Sequence, residues 1–519
     1  MIDHLHHPFL KRFLALGAAT LLMALPQLHG AYGDLVWSKL TGDIIFGAPA
    51  IGPDGEIVVG SEDTRLYSYD PDGTLRWIFN ESTDWLDASP TIADDGTVYV
   101  GSWDNFLYAV DGNTGNLKWR FETGAMIEAS VALGADGTVF LASTDSFLYA
   151  LNPDGSQKWV STEVDNFSPI SSSPVISRDG GTVYFGNESG EIFAVNATSG
   201  APEWRFAATD IHPISGDASA AVGESLALGE DGSLYFGTED SNLYALSPEG
   251  NLRWSYEAAG AIRSAPVLSN DGLVYFVASD GYLYALDTEG FQLWETFVGD
   301  VFYCTPAIAS DGRITVAGYA GSAETGAATR FVTLDHTGSL VWEFLIEGYN
   351  DSSPNIGPDG SLYIGAHDGS LYKFEGSAPL LNGGWPRFQG NHAQTGLRFN
   401  ASSPEASVFE VFPSISQTEG NWHFVPWFGS GWITPVGLPW VIHTDHGYIY
   451  VTGAGSDAVW FYDAGLAAWI FASASSPNYY YNTGSASWLY HIPGSAREST
   501  GGRWFYDYTR ADWFSEGGG

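Results

Sequence analysis

The chain has 519 residues, of which 44% are hydrophobic and 15% aromatic, and this apolar content excludes a wholly disordered protein. Its 61 acidic residues outnumber its 20 basic residues and give a formal net charge of −41 at pH 7. Because such a surface repels phosphate backbones, we expect no nucleic-acid partner.

The N-terminal segment has the pattern of a secretory signal peptide. Basic residues occur in MIDHLHHPFLKR, the apolar run FLALGAATLLMALP follows, and small residues come at Gly30, Ala31 and Gly33. We therefore predict a signal peptide at residues 1–33 and a mature protein that is secreted, periplasmic or associated with the cell surface. No later segment of the sequence is long and apolar enough to predict a transmembrane helix. Cys304 is the only cysteine, which excludes an intramolecular disulfide.

A repeat fills most of the remaining chain. Asp-Gly turns recur at regular spacing and end at Gly55, Gly96, Gly137, Gly180, Gly232, Gly272, Gly312 and Gly360. In six of these repeats a tyrosine follows the glycine by 12 residues, and in the fourth repeat Phe193 takes its place one residue later. A tryptophan then follows in the first seven repeats, at Trp77, Trp119, Trp159, Trp204, Trp254, Trp294 and Trp342.

Each repeat contains four short β patterns, which in the second repeat are SPTIA, TVYVGS, FLYAVD and LKWRFE. Four antiparallel strands per repeat predict an all-β fold, an eight-bladed β-propeller. The eighth repeat ends at LYKFEGSA without a tryptophan strand, whereas DLVWSKL near the N-terminus has the sequence of one. We therefore predict that this N-terminal strand closes the last blade, and that the propeller occupies residues 34–399.

These residues resemble the pyrroloquinoline-quinone-type, or quinoprotein-like, propeller repeat. The resemblance rests on the recurring Ser-Pro, Val-Tyr-Val-Gly and Leu-Tyr-Ala-Val-Asp phrases, and GGWPRFQGNHAQTG at 383–396 is similar to a segment that often flanks such propellers. The family includes quinoprotein dehydrogenases and non-catalytic propellers of the outer-membrane assembly-factor type. For a dehydrogenase, the resemblance implies a quinone beside a calcium ion, usually against a disulfide of adjacent cysteines.

A chain with one cysteine lacks that disulfide and any CxxCH haem motif, so we expect no cofactor. The sequence also lacks the GxSxG, HExxH and GxxxxGK[ST] signatures, and we assign no catalytic residue and no metal ligand. A non-catalytic binding or scaffold propeller is therefore the favoured function. A quinone- and calcium-dependent dehydrogenase and a polysaccharide-acting propeller enzyme stay open as alternatives.

One face of the propeller is the candidate binding face. The links between blades and the loops between the second and third strands share this face, and two of its loops are extended, one after Trp204 and one at GYAGSAETGAATR. The residues that we place around the channel mouth are Asp87, Glu128, Arg263, Tyr303 and Asp351, with Trp85, Trp103, His212 and Tyr349 beside them. Such a set suits a cation, a sugar or a peptide, and a hydrated channel rim is the alternative.

The sequence changes character after residue 399. We predict a linker at 400–420 and a Trp/Tyr-rich β-repeat module at 421–519, which holds nine of the 20 tryptophans. The candidate aromatic strip of this module is Trp432, Trp440, Trp460, Trp469, Trp488 and Trp504. The repeats loosely resemble choline- or glucan-binding repeats, and the aromatic residues either form a core or bind sugar. We expect a monomer whose partner is a protein or a cell-surface polysaccharide.

Overall fold

The computed structural model describes residues 32–161, 168–212, 220–270, 272–299, 303–319, 328–347, 349–381, 385–391 and 394–396, and the backbone of eleven strands between 417 and 516. The signal peptide predicted at 1–33 lies outside the described residues except for its last two positions. Most of the predicted linker also lies outside them, as do residues 213–219 and 320–327 of the two extended loops.

Eight four-stranded antiparallel sheets form the blades of a propeller, as the sequence predicts. The N-terminal strand is β1 (Leu35–Leu40). Blades 1 to 4 then follow in chain order as β2 (Ala50–Ile51), β3 (Ile57–Gly60), β4 (Leu66–Tyr69), β5 (Leu75–Phe79); β6 (Thr91–Ile92), β7 (Thr97–Gly101), β8 (Phe106–Asp111), β9 (Leu117–Glu122); β10 (Ala132–Leu133), β11 (Val139–Ala142), β12 (Leu148–Leu151), β13 (Gln157–Val160); β14 (Val175–Ile176), β15 (Thr182–Gly186), β16 (Glu191–Asn196), β17 (Pro202–Ala207).

A single 3-10 turn at Ala208–Asp210 is the one helical element among the described residues, and it precedes blade 5. Blades 5 to 8 are β18 (Ala227–Leu228), β19 (Leu234–Gly237), β20 (Asn242–Leu246), β21 (Leu252–Glu257); β22 (Val267–Leu268), β23 (Val274–Val277), β24 (Tyr282–Leu286), β25 (Gln292–Phe297); β26 (Ala307–Ile308), β27 (Ile314–Tyr319), β28 (Ala328–Leu334), β29 (Leu340–Glu347); and β30 (Asn355–Ile356), β31 (Leu362–Gly365), β32 (Ser370–Phe374).

The N-terminal strand completes blade 8. Strand β1 pairs antiparallel with β32, with Lys39 opposite Leu371, and the sheet order is β1-β32-β31-β30. This confirms the prediction that the first strand closes the ring. Within each blade the middle strands are buried on both faces because neighbouring blades cover both sides, whereas outer strands such as β9 alternate between partly buried and exposed residues.

The repeated tyrosine and tryptophan have separate structural roles. The tyrosine hydroxyl on the third strand donates to an aspartate four residues earlier, as at Tyr108–Asp104 and Tyr149–Asp145, both 2.7 Å. The tryptophan indole N–H on the outer strand donates to a carbonyl in the next blade, as from Trp119 to Pro153 at 2.9 Å. The same link occurs from Trp37, Trp77, Trp159, Trp204, Trp254 and Trp294. Each of these seven tryptophans therefore joins one blade to its neighbour.

We call the two sides of the ring the mouth face and the turn face. The mouth face carries the links between blades and the loops between second and third strands. The turn face carries the Asp-Gly turns and the turns between third and fourth strands, which contact each other where the Gly112 N–H donates to the Gly96 carbonyl at 3.0 Å. This matches the arrangement expected from the repeat.

The C-terminal strands form one antiparallel sheet in sequence order. They are β33 (Gln417–Glu419), β34 (Trp422–Phe424), β35 (Trp432–Gly437), β36 (Trp440–His443), β37 (Gly447–Thr452), β38 (Ala458–Asp463), β39 (Ala468–Ser473), β40 (Tyr479–Asn482), β41 (Ser487–His491), β42 (Arg503–Asp507) and β43 (Asp512–Glu516). All six tryptophans of the candidate strip fall in these strands, but their side chains lie outside the described structure, and the strip stays a prediction.

Among the residues that the structure describes, no helix is both long and apolar enough to cross a membrane.

Candidate binding site at the mouth of the propeller channel

The channel opens on the mouth face as a cavity of about 610 Å³, which we call the cup. Seven carboxylates line it, namely Glu62, Asp87, Glu128, Glu188, Glu224, Glu239 and Asp351. The other large side chains of the lining are Phe46, Trp85, Trp103, Arg263, Tyr303 and Phe388. The cup is therefore acidic with aromatic walls, and it contains seven of the nine mouth residues that the sequence singled out.

The remaining two predicted residues lie outside the cup. His212 follows the outer strand of blade 4 and turns away from the channel, with its Nε2 atom 3.2 Å from the hydroxyl of Ser255 on the outer strand of blade 5. Tyr349 stacks on Tyr319, with ring centroids 4.9 Å apart. Both residues follow an outer strand, and the sequence spacing does not show which side of such a loop leads inward.

Two positions of the repeat supply most of the charged lining. One lies in the link before each inner strand and gives Asp87, Glu128, Arg263, Tyr303 and Asp351. The other lies two residues after the second strand and gives Glu62, Trp103, Glu188 and Glu239. Sequence reasoning selected Trp103 but missed the three glutamates at the same repeat position. Aligning the second-strand ends would have identified them.

Glu224 is the other residue that sequence reasoning missed. The equivalent position is Gly, Ala, Ser or Cys in the other blades, so a single acid there is an unusual signal. The Thr305 hydroxyl donates to the Glu224 carboxylate at 3.1 Å, and the Glu224 backbone N–H donates to the Arg263 carbonyl at 2.8 Å. Burial raises the pKa of Glu224 well above its usual range; the Thr305 hydrogen bond opposes this shift, and the charge of Asp351 adds to it.

Three other cup acids, Asp87, Glu128 and Glu188, are also held away from their charged forms. Burial, followed by repulsion from Glu62 and Glu128, raises the pKa of Asp87 to about 7. Burial and the charge of Glu188 raise the pKa of Glu128, and burial and the charge of Glu239 raise that of Glu188. These three carboxylates are therefore repelled by their acidic neighbours around the mouth.

Two basic side chains reach the cup. The Arg263 Nε atom lies 2.7 Å from a Glu239 oxygen, and the guanidinium lies 5.9 Å from the ring centre of Tyr303. His367 Nε2 lies 3.3 Å from Asp351. Within the described residues, no Lys, Arg or His nitrogen lies within 4.0 Å of the other five cup carboxylates. Those five acids therefore carry no ion pair with a basic side chain of the described chain.

An aromatic pair stands at the rim. The rings of Trp85 and Trp103 lie 4.7 Å apart, and the Trp103 backbone N–H donates to the Trp85 carbonyl at 3.0 Å. Trp85 is 38% exposed. In the described part of the chain, the Trp103 indole N–H and the Asp87 Oδ1 atom have no hydrogen-bond partner. Aromatic faces beside carboxylates are suited to ammonium and guanidinium groups.

The small residues that begin the inner strands make a belt of hydrogen bonds around the channel. The belt crosses every blade junction through Ala48–Ser89, Ser89–Ser130, Ser130–Ser173, Ser173–Glu224, Glu224–Arg263, Ala265–Thr305, Thr305–Ser353 and Ser352–Gly47. The sequence indicated only that small side chains are needed for packing near the axis. In the structure their hydroxyls also hold the carboxylate-bearing links in position.

The lining does not suit the cofactor of the quinoprotein dehydrogenases. Pyrroloquinoline quinone is itself a polycarboxylate, and the one arginine of the cup already pairs with Glu239. Among the described residues, no cluster of three or more His, Cys, Asp or Glu is arranged to hold a metal ion. The charges of the cup lining therefore do not fit pyrroloquinoline quinone.

Comparison with known proteins agrees with the observed fold. The PQQ_2 family model, described as outer membrane protein assembly factor BamB, matches residues 62–210 and 199–375. The crystal structure of BamB from Moraxella catarrhalis has a TM-score of 0.55 at 20% identity and covers 66% of this chain and 99% of that chain. The computationally designed Ika8 protein has a TM-score of 0.52 at 15% identity, with the same two coverages. At these identities both structures support the fold alone.

A comparison with curated protein sequences gives no match. The family match nevertheless spans more than half of the chain, and it confirms the resemblance to quinoprotein-like propellers of the assembly-factor type. The chain therefore belongs to the PQQ_2 family of β-propellers, the family described as outer membrane protein assembly factor BamB.

Proposed function

We propose that this protein is a non-catalytic binding propeller that holds a protein partner outside the cytoplasm through the cup and its aromatic rim. The family description, an assembly factor of the outer membrane, supports both a scaffold role and an envelope location. The signal-peptide pattern in residues 1–33 is consistent with export.

The observation that carries the proposal is the set of cup carboxylates without a basic partner. A raised pKa means that the charged form of the carboxylate is unfavourable in the free protein. A cation that enters the cup stabilises this charged form, and that electrostatic gain contributes to the free energy of binding. The Trp85–Trp103 pair adds a surface on which an alkylammonium or guanidinium group can lie. A partner segment rich in Lys or Arg therefore fits the cup best.

A peptide titration tests this chemistry. The full mature chain is titrated with a labelled Lys/Arg-rich peptide and with a Glu-rich peptide of equal length, and anisotropy is recorded. We expect binding of the basic peptide alone. The triple variant Asp87→Asn, Glu128→Gln, Glu188→Gln should weaken it by roughly tenfold or more, because buried and half-buried charge pairs contribute most to affinity.

The control variant Asp54→Asn, Asp94→Asn, Glu249→Gln replaces the same number of carboxyl groups at exposed turn-face positions. It should leave the affinity nearly unchanged. Equal weakening by both triple variants would mean that the peptide responds only to net charge, and the cup would not be the site.

Site-specific photo-crosslinking in the native envelope tests the partner. A photoreactive residue replaces Trp85 at the rim or the exposed Asn113 on the turn face. We expect a discrete protein adduct from position 85 that the charge-neutralised cup suppresses, and none from position 113. Adducts of equal yield at both positions, or none at position 85, would contradict the proposal.

The attachment role of residues 421–519 stays a prediction. In support, tryptophans and other aromatic residues occupy paired positions of the sheet, such as Trp460 opposite Phe471 and Trp469 opposite Tyr462. Co-sedimentation of the full chain with insoluble polysaccharides, compared with its Trp460→Ala and Trp469→Ala variants, measures this role. Unchanged sedimentation of both variants would indicate that the aromatic residues serve the fold alone.

A further inference from the structure

The chain enters the channel from the turn face at residues 385–391 and 394–396, and we call these described residues the plug. After blade 8 the chain crosses blade 7, where the Ser310 N–H donates to the Pro379 carbonyl at 2.8 Å and the Leu381 N–H donates to the Ile308 carbonyl at 2.9 Å. It then runs under the inner strands. The plug thus lies on the opposite side of the channel from the mouth.

The plug bonds to four inner strands through its backbone. In blades 3, 4, 6 and 7, the backbone N–H of the last inner-strand residue donates to a backbone carbonyl of the plug. In that order the bonds are Leu133 to Thr395 (2.8 Å), Ile176 to Gly396 (3.1 Å), Leu268 to Trp385 (2.8 Å) and Ile308 to Pro386 (2.8 Å). Each inner strand pairs with its own blade on one edge only, so its other edge faces the channel. The plug covers these edges as an added strand would.

Hydrogen bonds that involve side chains of the plug or of the ring link the plug to three further blades. The Gln394 amide donates to the Ala48 carbonyl at 2.9 Å, and the Thr91 hydroxyl donates to the Gln394 carbonyl at 3.1 Å. The Gln389 amide donates to the Ser225 hydroxyl at 3.2 Å. With these bonds the plug contacts blades 1 to 7.

The plug also forms the floor of the cup. Phe388 is 5% exposed and packs against Ala48 and Ala265 while lining the cavity. Trp385 is fully buried and belongs to the core cluster between blades 4, 5 and 6. The cup is closed at this end by the chain's own residues.

The family-model match ends at residue 375, so the plug lies beyond the matched repeats. In the sequence it stands directly between the ring and the C-terminal sheet that begins at Gln417. We propose that the plug is a lock: it closes the turn end of the channel and fastens the C-terminal sheet to the propeller by non-covalent contacts that persist without the peptide connection. This inference is independent of the ligand that the cup binds.

A cut-and-retain experiment tests the lock. A site for a specific protease is inserted in the full mature chain between residues 382 and 383, and the folded protein is cleaved. We expect the C-terminal fragment to co-elute with the ring in gel filtration and to separate only in denaturant. The double variant Trp385→Ala, Phe388→Ala in the same background should release the fragment.

Two outcomes would overturn the proposal. One is release of the fragment with the native plug. The other is equal retention with the altered plug, which would assign the attachment to other residues. Both gel-filtration profiles are read against the uncleaved protein.

Hydrogen exchange gives a second measurement that needs no substitution. In the uncut wild-type chain, the amides of Leu133, Ile176, Leu268 and Ile308 should exchange at least one hundredfold more slowly than those of Ile51, Ile92 and Leu228. These three hold the same inner-strand position in blades 1, 2 and 5, where the described part of the plug accepts no bond. Equal rates in the two sets would contradict the lock even if the double variant fails to fold.

Discussion

The carboxylates on the two faces of the ring have opposite environments. Turn-face aspartates accept hydrogen bonds from nearby N–H groups and face a cation. The cation lies on the outer strand in the pairs Asp95–Lys118, Asp136–Lys158 and Asp231–Arg253, and on the third strand in Asp359–Lys373. Hydrogen bonds from Thr138, assisted by Lys158, lower the pKa of Asp136 to about 2. In the cup, burial and mutual repulsion raise the pKa of Asp87 to about 7.

The ionised carboxylates of the turn face stabilise the folded state, whereas ionisation of the cup carboxylates destabilises it. Partial burial also acts to raise the pKa of Asp95, Asp231 and Asp359, but their hydrogen bonds and cations outweigh it and the pKa values are lowered. No such partners outweigh burial at Asp87, Glu128 or Glu188. Titratable groups that the fold leaves unstabilised are candidates for function, and substitutions at the two ends of the channel should therefore have different effects.

The largest effect is expected at the closed end. Phe388→Asp places a carboxylate among Ala48, Ala265 and the cup acids, and we expect the free energy of unfolding to fall by about 3–5 kcal/mol in denaturant titration. The matched control is Phe291→Asp in the turn just before the outer strand of blade 6, where the side chain is 70% exposed and the change should stay within about 0.5 kcal/mol. Similar losses in both variants would mean that the plug does not seal the channel.

Removing one charge from the open end should stabilise the protein. The unfolded chain loses the Asp87 proton near pH 3.8 and the folded chain near pH 7, so the free energy of unfolding falls as the pH rises through this window. The Asp87→Asn variant should therefore become more stable than wild type as the pH rises from 4 to 8, by about 2 kcal/mol at pH 8. This gain is smaller than the full pKa difference implies because the Asp87 side chain is partly accessible to solvent.

Asp136→Asn on the turn face should show the opposite sign. The lowered pKa of Asp136 contributes stability above pH 3.8 that is lost as the pH falls through about 2. The variant should therefore be less stable than wild type at neutral pH and equal to it in strong acid. Denaturant titrations across the pH range measure both variants, and the same sign for both would refute the contrast between the two faces.

A smaller loss of unfolding free energy is expected on substitution of Thr305, which hydrogen-bonds to a residue of the cup lining. Its hydroxyl donates to Glu224 and accepts the Ala265 N–H at 2.9 Å. Thr305→Val leaves both groups without this partner and should cost about 1–2 kcal/mol of unfolding free energy. Thr305→Ser keeps the hydroxyl and should recover most of the loss. If serine is no better than valine, the methyl packing and not the hydrogen bonds supports the cup.

The smallest effect concerns the exposed ion pairs of the turn face. Lys158 Nζ lies 3.1 Å from Asp136. Since exposed pairs contribute little, Lys158→Gln should change the free energy of unfolding by less than about 0.5 kcal/mol. A larger loss, measured in the same titration at low salt, would show that the turn face depends on its cations more than on its turn hydrogen bonds.

The propeller was predictable from sequence because every blade uses the same residues at the same turns and strand positions. The Asp-Gly turns, the third-strand tyrosine and the outer-strand tryptophan recur at fixed spacing, and the unmatched DLVWSKL identifies the closing strand. Sequence also located Asp87 and Glu128 at the mouth. It missed Glu62 and Glu188 because only one of the two loop positions was aligned around the ring.

The plug could not be predicted in the same way. WPRFQGNHAQTG stands beside the repeats in the sequence, but a single non-repeating segment carries no periodicity that would place it. Its position depends on contacts with seven blades that are distant in the chain. His212 and Tyr349 show the same limit, because the path of a long link depends on the neighbouring blade and not on spacing.

The closing strand also sets the order in which the molecule can be assembled. Since β1 pairs Lys39 with Leu371, the first folded residues to be synthesised have no strand partner until nearly the whole propeller has followed them. Joining two segments so distant in the chain is entropically costly and slow, and blade 8 should therefore be the last blade to form. A circular permutant that places DLVWSKL directly after LYKFEG would convert this late, long-range step into a local hairpin, and its ring should close sooner.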